Sequence, residues 1–361
     1  MTGQHRIVVL GAGYAGLAAA RRLARRAKGT QITVVDARSY FVERVRLHQL
    51  AAGQQVPRWE LRQRLESKGI RFVRGRATTL DPAAKRITLA DDTTVDYDTL
   101  VYTLGSVADT ESVAGVRQYA HTVATVEDVA RLDMPAGRVA IVGGGSTGIE
   151  TAAELAESRP DLMVSLVSSE EPGAWLSERA QRHIRTTLER LGVTVHSGAK
   201  VIEVTPNGLH FADGGGLDAE TVLWTTGFTV PDLAARAGLA VDTHGRLLVD
   251  ETMRTSDPDI YAAGDCAAIS GPGNRELRMA CATALPTGAH AADSVCAHLN
   301  GRRPSALEFR YHLQCISMGR RDGVIQFLRS DDTPTERVLT GRTAARVKEI
   351  IVRGAALSAR P

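Results

Sequence analysis

Apolar and polar residues follow one another in blocks that predict parallel strands joined by helices. The run from Ile7 to Leu10 is wholly apolar, which is typical of a strand buried on both faces of a sheet. An Ala-, Leu- and Arg-rich stretch with helical periodicity comes next, and a second apolar run extends from Ile32 to Val35. This strand–helix–strand order predicts an α/β fold with a parallel sheet.

The turn between the first strand and its helix carries a glycine pattern, Gly11-Ala12-Gly13-Tyr14-Ala15-Gly16, and Asp36 ends the second strand twenty residues later. Gly11 permits the tight turn, Gly13 lets the backbone approach a pyrophosphate, and Gly16 lets helix and strand pack closely. The helix N-terminus offers free N–H groups and a positive dipole end to the phosphates. Asp36 is expected to accept hydrogen bonds from ribose hydroxyls. The pattern therefore predicts a dinucleotide site without specifying the dinucleotide.

The same architecture recurs later in the chain. At an offset of 132 residues, Gly143, Gly145 and Gly148 repeat the three glycines, and the pattern of residues 89–105 recurs at 211–227. Self-similarity on this scale indicates two copies of one structural unit, and so two dinucleotide-binding units. The polar stretch 106–136, which ends in Met134-Pro135-Ala136-Gly137, predicts a boundary before the second copy.

Other parts of the chain carry weaker patterns. They predict a helix-like segment up to Ala52, a helix from Arg58 to Lys68, a hairpin-like stretch from His244 to Val249, an Ala-rich helix from Arg278 to Leu299, strands at Phe309–Ile316 and Val324–Arg329, and a helix at about Thr340–Ala356. The Gly-Arg-Arg-Asp-Gly segment 319–323 is expected to be a turn.

Composition narrows the class of protein. The chain has 361 residues, 43% hydrophobic and 24% charged, with a net charge of only +3, and its basic residues are scattered, so no nucleic-acid surface is expected. No apolar run approaches the roughly 20 residues of a membrane span. Nothing before Arg6 resembles a signal peptide, so a cytoplasmic location is expected. The four cysteines form no close pair, which argues against a redox disulfide or a zinc site.

Three features together resemble the pyridine-nucleotide oxidoreductases with two dinucleotide-binding domains. They are the two glycine patterns, the strands that end in Thr103-x-Gly105 and Thr225-x-Gly227, and the block Thr255–Ala267, TSDPDIYAAGDCA. The resemblance covers about 300 residues and implies two Rossmann-like domains arranged as in glutathione reductase. The implied domains are a discontinuous FAD domain (1–120 and 231–302), a nicotinamide domain (121–230) and a small α+β cap (303–361).

The resemblance places FAD on the first unit. The implied contacts are Gly11, Gly13, Tyr14, Ala15, Gly16, Asp36, Ala37, Arg38, Arg44, Ala77, Thr103, Gly105, Gly264, Asp265 and Thr283. Asp265 would contact the ribityl chain or the pyrophosphate. An arginine such as Arg44, with Arg46 and His48 close by in sequence, would stabilise the anionic reduced flavin. Thr283 would begin a helix whose N-terminus points at flavin O2.

The same resemblance places NADH or NADPH on the second unit. The implied contacts are Gly143, Gly145, Ser146, Thr147, Gly148, Ser168 and Gly227. Glu150, at the family position that faces the nicotinamide and the flavin, is the expected catalytic residue. An acid at the end of the second strand favours NADH over the 2′-phosphate of NADPH, but Ser168 stands there. The serine removes the repulsion of that phosphate and can donate to it, whereas Glu170 can replace the missing acid, so both nicotinamides are expected to be accepted.

Within the family, the GDCA ending and the short cap resemble the type II NADH dehydrogenases and the apoptosis-inducing factors. The implied activity is hydride transfer from NAD(P)H to FAD, followed by electron transfer to a quinone or another small molecule. Ala282 and Pro286 stand where type II dehydrogenases carry glutamines beside the quinone, so the acceptor stays open. The alternative is a redox-responsive protein that signals through a partner.

The terminal helix leaves a second question open. Residues 340–357 combine Ala344, Val347, Ile350 and Ile351 on one side with basic residues around them. This pattern fits peripheral contact with the inner face of a membrane. It fits packing on the cap or on a second subunit in a homodimer equally well.

Overall fold

Two parallel five-stranded sheets organise the computed structural model, which describes residues 4–360; four strands of each sheet follow the same order, and the fifth, an edge strand, comes last in sequence in the first sheet and first in the second. In spatial order the first sheet contains Ile260–Ala262, Thr99–Tyr102, Arg6–Leu10, Gln31–Asp36 and Arg71–Arg74. The second contains Ala120–Thr122, Thr221–Trp224, Gly137–Val142, Leu162–Ser168 and Thr194–Ser197. The edge strand at 260–262 follows the whole second sheet in sequence, so the first unit is discontinuous.

Each sheet carries a three-stranded antiparallel meander. These are Ala77–Asp81, Arg86–Leu89 and Thr94–Asp96 in the first unit, and Val201–Thr205, Gly208–Phe211 and Gly216–Asp218 in the second. Two-stranded pairs join Tyr40–Val42 to Arg58–Glu60, Val107–Ala108 to Phe228–Thr229, and Leu247–Leu248 to Ala267–Ala268. The α/β fold with two Rossmann-like units is as predicted.

Helices cover the sheets. The longer ones are Tyr14–Arg26, Ser146–Ser158, Glu178–Arg190, Cys281–Leu299 and Gly341–Ala359; the shorter ones are Leu47–Ala51, Leu61–Glu66, Val116–Tyr119, Val126–Ala130 and Leu233–Arg236, with 3-10 turns at Arg44–Arg46 and Pro272–Asn274. The helices that start at Tyr14 and Cys281 pack so closely that a Cβ atom on Gly288 would lie 2.1 Å from the carbonyl oxygen of Ala15. This contact fixes the helix that follows the GDCA block against the first glycine turn.

The cap is a three-stranded antiparallel sheet, Leu313–Ser317, Gly323–Leu328 and Pro334–Thr340, followed by the terminal helix Gly341–Ala359. The cap is attached to the second unit, because Ser177 Oγ donates to Gln326 Oε1 at 2.7 Å and His183 Nε2 lies 2.8 Å from Asp322 Oδ1.

The terminal helix buries Ala344, Val352 and Ala356, while Ile350 and Leu357 are 69% and 57% exposed. The apolar side of this helix therefore packs largely on its own chain. Within residues 4–360, no helix is long and apolar enough to cross a membrane.

Several element boundaries differ from the sequence-based expectations. Residues 58–60 form a strand rather than the start of a helix, because they pair with Tyr40–Val42. The expected boundary at 134–137 is wrong, because Ala120–Thr122 already pairs with Val222–Trp224 of the second sheet. The Ala-rich helix starts at Cys281, and the strand Pro334–Thr340 was not expected, since its sequence is mostly polar.

Candidate active site

The first glycine turn has one open position. A Cβ atom on Gly16 would lie 1.8 Å from the oxygen of Gly11, and one on Gly11, whose φ is +106°, would lie 2.5 Å from the oxygen of Thr103. A Cβ atom on Gly13 would meet nothing within 4 Å. The Thr103 hydroxyl stabilises the turn by donating to the carbonyl oxygens of Leu10 and Gly11 at 2.9 and 3.0 Å. The outer side of Gly13 is thus a cradle that fits a pyrophosphate.

Asp36 lies beside this cradle. Its carboxylate accepts from the N–H of Ala12 at 2.7 Å and from the N–H of Arg38 at 2.8 Å, which orients it at the end of its strand. The Arg38 guanidinium is occupied, because its Nε and Nη2 groups both donate to Glu127, and this pairing raises the pKa of the guanidinium. Arg38 therefore offers a backbone contact near the site rather than a free cation.

A second group of residues, among them the predicted Arg44 and Asp265, meets close to the first glycine turn. Ser106 Oγ donates to Asp265 Oδ2 at 2.7 Å, and Arg44 Nη1 donates to the Ser106 carbonyl at 2.9 Å and lies 3.6 Å from Asp265. Gly264, with φ +77°, lies under this group, where a Cβ atom would be 3.0 Å from that of Ala15. Burial lowers the pKa of Arg44 although Asp265 opposes the shift. These charges can meet the polar chain of a dinucleotide.

The helix after the GDCA block presents its first turn to the same region. Thr283 Oγ1 donates to the carbonyls of Arg278 and Ala280, each at 2.7 Å, so this hydroxyl fixes the start of the helix. Thr287 Oγ1 accepts from the N–H of Gly264 at 3.2 Å. The two threonines therefore position backbone groups, and their hydroxyls already have protein partners.

The second glycine turn repeats the geometry of the first. A Cβ atom on Gly148 would lie 1.8 Å from the oxygen of Gly143, whereas one on Gly145 would meet nothing within 4 Å. Thr225 donates to the oxygen of Val142 at 2.8 Å, as Thr103 does in the first turn. Ser146 Oγ, at the helix start, accepts from Gln314 of the cap at 3.0 Å. This cradle also fits a dinucleotide pyrophosphate.

The end of the second strand carries both acidic and basic groups. Ser168 is buried and its Oγ accepts from the N–H of Glu170 at 3.4 Å, while the Glu170 carboxylate is exposed. Glu171 is paired with Arg185, which lowers the pKa of that acid. Exposed Glu170 is thus the acid available to a ribose at this edge.

Glu150 is the centre of a buried cluster built from four elements. It is 8% exposed on the helix Ser146–Ser158 and forms a salt bridge with Lys348 of the terminal helix, which is 7% exposed. Its carboxylate also accepts from the backbone N–H of Ser317 at 3.0 Å and lies 3.7 Å from His48 Nδ1. The cap and both dinucleotide-binding units therefore meet at one carboxylate.

Burial controls the protonation of this cluster. Burial, with the nearby Arg46 guanidinium, lowers the pKa of Lys348 to about 7. Burial and the cations Lys348 and Arg320 lower the pKa of His48 well below its ordinary value, so the imidazole is neutral. Lys348 is consequently a group that can hold or release a proton near neutral pH.

Three further ion pairs surround the cluster. Arg46 is buried and binds Glu43 at 2.7 Å and Glu349 at 2.8 Å. Glu154, fully buried one helical turn after Glu150, binds Arg320 of the cap at 2.7 Å. Arg46 is thus a structural cation that joins the first unit to the terminal helix. It does not extend freely toward a flavin.

The remaining predicted residues lie on elements of the same two units. Tyr14 and Ala15 are buried in the first helix, with the Tyr14 ring packed edge-on against Phe41 at 5.1 Å. Ala37 follows Asp36, Ala77 begins a meander strand, and Thr147 lies in the first turn of the second helix. Gly105 and Gly227 have φ of +69° and +73° at matching ends of their strands. Ser317 and Gln314 were not predicted, because isolated polar residues in a strand carry no motif.

This fold and these two cradles define a class: proteins that bring two dinucleotides together. The family model described as pyridine nucleotide-disulphide oxidoreductase matches residues 5–292. The chain belongs to this family. It is a flavin-dependent pyridine-nucleotide oxidoreductase related to NADH dehydrogenases, as the sequence patterns predicted, with FAD and a nicotinamide dinucleotide as its cofactors.

Individual relatives are distant but nearly full-length. An NADH dehydrogenase-like protein of Mycobacterium tuberculosis is 28% identical over 88% of this chain and 87% of its own. A type II NADH:quinone oxidoreductase of Staphylococcus saprophyticus is 26% identical over 96% and 94%. Two solved structures share the fold at a TM-score of 0.82 each: the sulfide:quinone oxidoreductase of Aquifex aeolicus (20% identity, 99% of this chain and 91% of that one) and NDH2 of Plasmodium falciparum with NADH (16%, 99% and 96%).

Proposed function

We propose that the chain is an NAD(P)H:acceptor oxidoreductase in which the first glycine turn holds FAD and the second holds the nicotinamide dinucleotide. When bound, the flavin supplies the hydride acceptor and the electron relay. The observation that carries the proposal is the buried Glu150 cluster, because it joins the helix of the second glycine turn to the first unit and to the cap.

Glu150 and Lys348 are proposed to orient the nicotinamide and to manage a proton. Glu150 follows the second glycine turn by two residues, so its helix carries it next to a dinucleotide bound at Gly145. The Ser317 N–H and the Lys348 ammonium fix the direction of its carboxylate. Lys348, with a pKa of about 7, can then supply a proton to an acceptor that takes up electrons at this site.

The electron acceptor is proposed to be a quinone or another small molecule. Support comes from the relatives named as NADH:quinone oxidoreductases and from the absence of a paired-cysteine motif in the sequence.

Both nicotinamides are proposed to be accepted. The exposed Glu170 beside buried Ser168 supports use of NADH, and exposed arginines that follow in sequence, such as Arg179, leave NADPH acceptable. Contact with a membrane surface or with a second copy of the chain would use the exposed Ile350 and Leu357 of the terminal helix.

A steady-state screen of acceptors with both nicotinamides tests this proposal. Turnover is expected with at least one quinone or similar small acceptor, at rates limited by the acceptor concentration. Slow turnover with every acceptor, together with a nicotinamide-dependent change in oligomeric state, would instead favour a redox-responsive signalling protein.

A further inference from the structure

A cavity of about 450 Å³ opens between the cap sheet and the terminal helix. Its wall contains Ser317, Lys348, Glu349 and four arginines, Arg320, Arg321, Arg342 and Arg346. This volume is within the range of roughly 300–1,000 Å³ that small-molecule sites occupy. Ser317 and Lys348, two partners of Glu150, are part of its wall. The cavity therefore reaches the proposed proton-handling pair from the side of the cap.

The wall is strongly cationic. It contains four guanidinium groups and the Lys348 ammonium, against the single carboxylate of Glu349. That carboxylate is already neutralised, because Arg46 binds it at 2.8 Å and Arg353 at 2.7 Å.

Three of the arginines are available to a ligand. Arg320 is held by Glu154, but Arg321, Arg342 and Arg346 are exposed and have no ion pair or side-chain hydrogen bond with any residue in the range 4–360. Arg342 and Arg346 are four residues apart on the terminal helix, so their side chains lie on the same side of it. Two or three free guanidinium groups around one cavity form a binding site for an oxyanion.

The lining does not suit a lipid tail. Ala345 and Val352 are the only aliphatic side chains in it, apart from the stems of the long cations. An isoprenoid chain would leave the three free guanidinium groups desolvated without partners, which costs free energy. An acceptor with an anionic group satisfies them instead.

We propose that this cavity takes the electron acceptor and that the acceptor is a small molecule bearing a sulfonate-, carboxylate- or phosphate-type anion. The proposal rests on the proposed function and specifies its acceptor class. The free arginines bind the anion, and Lys348 lies where the reducible end can receive a proton. For a quinone acceptor the balanced reaction is NAD(P)H + H⁺ + quinone giving NAD(P)⁺ + hydroquinone, with both carbonyl oxygens becoming hydroxyls.

Binding to the FAD-loaded protein tests the site without turnover. The probes are the redox-inert naphthalene-2-sulfonate and the neutral naphthalene-2-methanol, measured by calorimetry. The sulfonate is expected to bind at least tenfold more tightly, with an affinity that falls as salt rises. The double variant Arg342→Gln/Arg346→Gln is expected to remove that preference. Arg25→Gln is the matched control and is expected to retain it, because Arg25 is an exposed arginine of the first helix with no ion pair or side-chain hydrogen bond to any residue in the range 4–360.

A kinetic arm separates this proposal from the function on which it rests. The kcat/KM for 1,4-naphthoquinone-2-sulfonate relative to menadione is expected to fall at least tenfold in the double variant. If NADH reduces the enzyme but the sulfonate is neither bound nor used preferentially, the anionic acceptor is refuted while the oxidoreductase stands. If NADH does not reduce the enzyme, the proposed function itself fails. Equal sulfonate binding by the double variant would also overturn the site.

Discussion

The assignment of FAD to the first glycine turn and of the nicotinamide to the second can be tested with two alanines. Gly13 and Gly145 both have extended backbone angles, φ −79° and −72°, that alanine adopts without strain. A Cβ atom at either position meets no protein atom within 4 Å, so Gly13→Ala and Gly145→Ala are expected to fold with unchanged stability. The new methyl group points into the space that a pyrophosphate needs.

The magnitude follows from the contacts that the methyl group displaces. Moving a pyrophosphate outward removes at least one hydrogen bond from a backbone N–H to a charged oxygen, worth about 1.5–3 kcal/mol. That loss weakens binding roughly 10- to 150-fold. Gly13→Ala should therefore purify with little FAD, whereas Gly145→Ala should keep its FAD and show a raised Kd for NADH.

The assay combines the FAD content of the purified protein with a titration of NADH against the FAD-loaded enzyme. Gly16→Ala is the contrasting variant, because its Cβ atom would lie 1.8 Å from the oxygen of Gly11 and should destabilise the fold itself. Loss of FAD from Gly145→Ala with normal FAD in Gly13→Ala would reverse the assignment. Normal binding of both cofactors by both variants would refute the cradle geometry.

Three other predictions concern substitutions of single residues. Acceptor reduction should slow as pH rises through about 7, where Lys348 loses its proton, and Lys348→Met should abolish that step in the pH profile; an unchanged profile would exclude Lys348 as the proton source. Gly288→Ala should lower the free energy of unfolding by about 1–3 kcal/mol through overpacking against Ala15, whereas Gly354→Ala, an exposed helical control with nothing within 4 Å, should not; equal melting temperatures would contradict the packing argument. Glu170→Ala should raise kcat/KM for NADPH relative to NADH about tenfold by removing repulsion of the 2′-phosphate, and an unchanged ratio would place that phosphate elsewhere.

The glycine turns could be read from the sequence because their constraints are local. Gly11 and Gly16 are required because the backbone packs closely against other backbone atoms there, whereas Gly13 faces free space. The structure has this geometry in both glycine turns. The duplication itself was visible as constant offsets. The α/β fold with two Rossmann-like units is therefore predictable from the sequence alone.

The Glu150 cluster and the cationic cavity could not be predicted in the same way. Lys348 was expected among the basic residues around the terminal helix, yet it is buried. Its partner is Glu150, which lies 198 residues away in sequence on another helix. The arginines of the 319–323 turn and of the terminal helix looked scattered, and only the antiparallel cap sheet brings them to one cavity. Long-range juxtaposition of single charged residues leaves no periodic signal in a sequence.

The most direct test of electron flow from a nicotinamide to a bound flavin is an anaerobic titration of the purified protein with NADH and NADPH. The protein is expected to be yellow, and its oxidised flavin spectrum is expected to bleach with at least one nicotinamide and to return when a small acceptor is added. A flavin spectrum that stays oxidised under an excess of both nicotinamides would contradict this electron flow.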